Sequence, residues 1–282
     1  MPANAHAIPP RNASVDALRA AGAVAVVAFH ATLTDGQAAN TALGCFAFFV
    51  GYFTVAGGMA GPDRFARMMG LWLAWSAVYL SVRLADGDPL QPWMWLAGPS
   101  HHLWFLPFAA VLSLLVGALC RSPAPALGLW SMLAGTLALG SALPGLAETN
   151  GLPFPLQLWV AFLPAGVAGA LLAHRGQWEP VALVALFAAT PCGLGTFLAA
   201  LALAWPLPGV AAVHWLGRLS LGIYLCHPLA LGAVRRGLDL DTGTVEGLVA
   251  ALGVSALLTL GLMRLARLRP GALVRRRRIP VT

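Results

Sequence analysis

Eight stretches of this sequence are predominantly apolar over 17 to 21 residues: Val15–Leu33, Ala42–Met59, Met68–Leu84, Leu103–Cys120, Ala126–Leu146, Leu156–Ala173, Leu216–Val234 and Val245–Leu265. A helix needs about 20 residues to cross a ~30 Å hydrocarbon layer, so each run has the length of a membrane span. In that layer backbone groups find no water and must be satisfied within helices or a closed barrel. The runs lack the alternation of barrel strands, which leaves helices. Composition agrees. Only 10% of the 282 residues are charged and 59% are hydrophobic, with a mean hydropathy of +0.78, whereas a soluble domain carries about 25% charged residues.

A ninth apolar region, Val181–Trp205, is broken at its centre by Thr190-Pro191-Cys192-Gly193. One kinked helix, two short spans or a re-entrant hairpin all fit it. The expected fold is therefore all-α, a single polytopic transmembrane helix bundle over residues 1–282 with about ten membrane helices. Connections are short and carry Pro, Gly or acidic residues, leaving no room for a soluble domain.

Arginine placement sets the parity. All 17 basic residues are arginine, giving a net charge of +7. In a soluble protein that balance points to nucleic acid, but these arginines sit mostly at segment ends, where they orient spans instead. If Val181–Trp205 goes in and comes back, Arg11, Arg64, Arg67, Arg121, Arg175 and all arginines from Arg264 to Arg278 share one side. Asp35, Asp86, Asp88, Glu148, Asp239, Asp241 and Glu246 share the other. A positive-inside orientation makes both tails, 1–14 and 268–282, cytoplasmic. Its cost is Arg235 and Arg236 outside. Asp16 and Arg19 within the first run are unlike a cleavable signal, so that run is expected to remain. The four cysteines lack metal-ligand or redox spacing and read as packing residues; no metal site is expected.

The first run holds the groups that most need an explanation. Asp16, Arg19 and His30 interrupt an apolar segment, where ionisable side chains mark function by default. Arg19 and His30, 11 residues apart, differ by about 20° in direction and ~16 Å in height on a helix. Asp16 and Arg19 are spaced to pair. The blander alternative is an interfacial ion pair and a packing histidine.

Further motifs line up behind this one. Arg11-Asn-Ala-Ser-Val-Asp16-Ala-Leu-Arg19, then Val-Val-Ala-Phe-His30, resembles the opening of the integral membrane acyltransferase 3 family. Phe48-Phe49-Val50-Gly51-Tyr52 is similar to its second-helix stretch, without the serine, and Arg64-Phe-Ala-Arg67 to its basic pair. His102-Leu-Trp104-Phe-Leu-Pro107 and Gly217-Arg-Leu-Ser220-Leu-Gly-Ile-Tyr224-Leu-Cys-His227-Pro228 resemble its two later motifs, in the same order.

The resemblance implies transfer of an acyl group, most often acetyl, from cytoplasmic acyl-CoA to a hydroxyl of an envelope or exported carbohydrate. Acyl-CoA would be a co-substrate, with no cofactor held permanently, and the location the inner (plasma) membrane. Such a reaction needs a base near the hydroxyl proton, and a neutral histidine suits that near pH 7. His30 is the expected base, with Asp16 and Arg19 fixing the stripe that positions it. Arg64 and Arg67, helped by Arg11 or Arg19, are expected to meet the CoA phosphates as charge-assisted partners. His102, Trp104, Tyr224 and His227 are expected on the acceptor side. Trp104 also fits an interfacial aromatic belt, and Tyr224 and His227 fit simple packing. The lipid bilayer, acyl-CoA and a glycan are the expected partners, nucleic acid is not, and a homo-oligomer is compatible. The rival from another class is a secondary transporter in which Asp16, Arg19 and His30 relay ions or protons and the broken segment is a discontinuous helix.

Overall fold

The computed structural model describes residues 12–58, 61–148, 152–187 and 191–267, and every regular element in them is helical. The long helices are α1 (Ala13–His30), α2 (Gln37–Ala56), α3 (Gly61–Asp86), α5 (Phe105–Cys120), α6 (Pro125–Glu148), α7 (Leu156–Arg175), α10 (Ala211–Gly237) and α11 (Val245–Arg267). Between α3 and α5 lie a one-turn helix, α4 (Met94–Ala97), and a 3-10 turn, His101–Trp104. The broken region forms two helices, α8 (Glu179–Phe187) and α9 (Pro191–Ala204).

Among the described residues, six helices are long and apolar enough to cross a membrane: α1, α2, α3, α5 with its preceding turn, α7 and α11. The expected count near ten is not reached by that measure. The apolar part of α6 within the described side chains is shorter, as is α9. α10 is long, but His214, Arg218, His227, Arg235 and Arg236 dilute its hydropathy.

Large apolar side chains cover the outside of the bundle as well as filling its core. Leu73, Leu127, Leu186, Leu257 and Leu265 point outward, and Trp95 is 88% exposed. α2 is the central helix, packed against α7, α9, α1 and α5. Small residues let backbones approach where hydrophobicity cannot drive association. Gly51 crosses Gly166 so closely that a Cβ on it would lie 1.8 Å from the Gly166 carbonyl oxygen. Cys45 donates its thiol to the Gly195 carbonyl across the α2–α9 contact, 3.1 Å away.

α8 and α9 return to the end of the bundle where they began. Asn12 caps α1 by accepting from the Ser14 and Val15 amides, and its side-chain amide donates to the Ala202 carbonyl at 3.0 Å. Ser14 Oγ donates to the Trp205 carbonyl at 2.6 Å and accepts from the Leu207 amide at 2.8 Å. The start of α1 is thus stitched to the exit of α9. That end carries Arg64, Arg67, Arg121 and Arg175, whereas Asp35, Asp86, Asp88, Asp239, Asp241 and Glu246 lie at the other. The three arginines among the acids are all engaged: Arg236 forks onto Asp86 at 3.1 and 3.3 Å, Arg235 donates to Thr242 at 3.0 Å, and Arg83 donates to the Pro89 carbonyl at 3.0 Å. Arg11 and the run 275–278 lie outside the described residues.

Candidate active site at the histidine end

Two helices and one turn bring three histidines together at the acidic end. His30 ends α1, His102 lies in the 3-10 turn and His227 sits in α10. The His227 ring centroid is 4.9 Å from His30 and 5.0 Å from His102. Tyr79 of α3 packs edge-on to His102 at 5.0 Å and donates its hydroxyl to the Leu225 carbonyl at 2.7 Å. Tyr224 donates its hydroxyl to the His102 carbonyl. These bonds tie α3, α10 and the turn into one frame around the imidazoles.

His102 is 3% exposed and His227 fully buried. His30 differs from the expected buried residue: it is exposed, at the mouth of a cavity of about 220 Å³. The end of α1 places it there, since the chain leaves the helix at Ala31. His101, His102, Trp104, Phe154 and Tyr224 also line this cavity. Trp104 is buried and stacked on Phe162, with centroids 5.8 Å apart, so it is no interfacial belt residue.

A second cavity, about 260 Å³, opens from the arginine end and is lined by Arg19, Arg64, Met68, Phe105 and Ser220. Tyr224 lines this one as well. Its ring, backed by Phe105 at 6.3 Å, stands between a guanidinium-lined chamber and an imidazole-lined one. Arg64 is half-buried and donates to Thr54 Oγ1 at 3.2 Å; Arg67 is exposed on α3 and does not line the chamber. Of the two arginines expected to act together, Arg64 is the one that lines the chamber.

Asp16 pairs with Arg19 as its spacing predicts, and has a second partner from a distant helix. It is buried, accepts from His214 Nδ1–H at 2.8 Å and lies 3.8 Å from Arg19. Gly217 of α10 makes room for it, because a Cβ there would come within 2.4 Å of the carboxylate. Asp16 therefore joins α1 to α10 about four turns from His30, some ~21 Å along the axis. His214 carried no sequence signal, since its partner is 198 residues away. Asp35, five residues after His30, accepts from the Gln37 amide at the start of α2.

The late motif now has a physical account. Gly217 admits Asp16, Ser220 bonds back to the Gly217 carbonyl at 2.9 Å and faces the arginine-lined chamber, and Tyr224 divides the two chambers. A third, wider cavity of about 580 Å³ opens at the acidic end between α3 and α10, lined by Arg83, Asp86, Asp88, Ser100, His101 and Arg236. Among the described residues no group of three His, Cys, Asp or Glu is arranged to hold a metal ion.

The sequence matches no family model, and neither a curated protein nor a solved structure is significantly similar to it.

Proposed function

We propose that this protein is a membrane-embedded acyltransferase that takes an acyl group, most readily acetyl, from cytoplasmic acyl-CoA and passes it to a carbohydrate hydroxyl on the opposite side. The observation that carries this reading is the pair of chambers meeting at Tyr224, one with arginines and one with histidines. Phosphate-bearing CoA suits guanidinium groups, which donate in a fixed fork to phosphate oxygens. A thioester arm reaching Tyr224 from that side would meet a hydroxyl held beside His30. His30 removes the hydroxyl proton as the oxygen attacks the thioester carbonyl. The tetrahedral adduct then collapses to the ester, and the CoA thiolate leaves and takes up a proton. The orientation follows from charge, with the arginine-rich end cytoplasmic and the acidic end outside.

A proton relay along α1, as in a transporter, has less support. Asp16 is engaged with His214 and stands about four turns from His30, with Arg19 half-buried between.

The donor side is tested by binding. Arg64→Ala should weaken acyl-CoA binding about tenfold or more, since losing one charge-assisted hydrogen bond costs about 1.5–3 kcal/mol. The same change at the exposed Arg67 should cost less. Both effects should shrink at high salt, where such contacts are screened. Calorimetry on purified protein measures this, and undiminished affinity of Arg64→Ala at low salt would remove CoA from the chamber.

The partition gives a second test. Tyr224→Ala joins the two chambers and admits water to the thioester, so acyl-CoA hydrolysis without acceptor should rise above the wild-type rate. Thiol release is the readout. Hydrolysis unchanged in a variant that still binds acyl-CoA would show that Tyr224 is no barrier.

A further inference from the structure

Pro228 lies inside α10, four residues after Tyr224. In a helix the Tyr224 carbonyl would accept from the amide of residue 228, but proline has no N–H. The carbonyl freed in this way is taken by the neighbouring side chain: His227 Nδ1 lies 2.7 Å from it. A carbonyl only accepts, so the proton of this bond sits on Nδ1 and His227 Nε2 keeps a bare lone pair. That Nε2 is buried and has no partner. It belongs to the ring between His30 and His102, and His227 lines neither chamber. A buried acceptor without a donor is costly unless a donor arrives when the site works.

We propose that the Tyr224-Leu-Cys-His227-Pro228 turn locks His227 in its Nδ1–H form and so presents a fixed acceptor to the N–H of His30, leaving the other His30 nitrogen free to take a proton. His227 is then a positioning residue that acts through His30, and Pro228 is what frees the carbonyl it needs. His102, whose Nδ1 is 2.9 Å from Ser100 Oγ and whose Nε2 is also buried without a partner, packs 5.0 Å from His227 and is the competing donor. The lock stands on geometry alone; its role in catalysis rests on the acyltransferase reading.

The test is nitrogen NMR of full-length protein with ¹⁵N-labelled histidine in nanodiscs, assigned with His227→Gln and His30→Gln. The expected spectrum has His227 protonated at Nδ1 and bare at Nε2, and His30 in one tautomer. In Pro228→Ala the restored amide competes for the Tyr224 carbonyl, so both residues should shift toward mixed tautomers. The same variant should lose acyl transfer about 10²-fold in kcat, within the range for positioned acid–base groups. KM for acyl-CoA should hold, because the arginine chamber is untouched. A wild-type His227 carrying its proton on Nε2 overturns the lock. A His30 tautomer indifferent to Pro228→Ala, or an undiminished kcat, overturns the coupling. Should the wild-type protein transfer no acyl group, the acyltransferase reading fails, and the spectra still decide the lock.

Discussion

Replacing His30 by glutamine is expected to cut acyl transfer by about 10²- to 10⁴-fold, the usual contribution of a positioned general base. Glutamine keeps polarity and much of the volume but cannot take a proton near pH 7. The side chain lies exposed at the end of α1, beside its cavity, and among the described residues its one ring contact with another helix is His227, so the substitution disturbs little packing. Donor binding should survive, because Arg19 and Arg64 line the chamber on the other side of Tyr224. The two readouts therefore separate: acyl-CoA affinity near wild type, and turnover nearly abolished. His30→Gln protein that inserts normally and transfers at the wild-type rate would make His30 structural and turn attention to His102, which lines the same cavity.

The second large effect is on folding. Gly51→Ala would put a methyl group 1.8 Å from the Gly166 carbonyl oxygen, with the Ala170 amide nitrogen 3.2 Å away. These are backbone atoms, so no rotamer change relieves the clash and α2 must separate from α7. Overpacking typically costs about 1–3 kcal/mol and occasionally more, and a backbone clash in the central helix pair belongs at or above the top of that range. Thermal unfolding in nanodiscs should show a large fall in Tm. Gly70→Ala is the matched control: it lies on the exposed face of α3, with nothing within 4 Å of an added Cβ. Equal Tm for the two variants would mean that close α2–α7 packing is not what holds the bundle.

The helices were readable because apolar length is a local property. α7 and α11 begin where their apolar runs do, at Leu156 and Val245. The parity of Val181–Trp205 rested on arginines elsewhere; the structure shows that the region forms two helices, with the exit of α9 bonded to Asn12 and Ser14. α4, between Pro92 and Gly98, and the 3-10 turn just after Pro99 escaped notice because four-residue elements have no periodicity to read. In the site, helical spacing put Arg19 and His30 on one face of α1, and each does line a chamber bounded by Tyr224. The same spacing paired Asp16 with Arg19, 3.8 Å apart, but periodicity says which face a residue occupies and not which helix covers that face. Long-range partners were likewise invisible: His214 for Asp16, and Asp86 for the apparently misplaced Arg236. The meaning of Pro228 needed the His227–Tyr224 bond.

The central claim is acyl transfer from CoA to a glycan hydroxyl through His30. Mass spectrometry of envelope glycans tests it whatever the acceptor is, comparing cells with the wild-type protein, with His30→Gln, and with none. The account predicts an acylated glycan species in the first cells, missing from the other two although His30→Gln protein is present in the membrane. Identical glycan profiles in all three would contradict it.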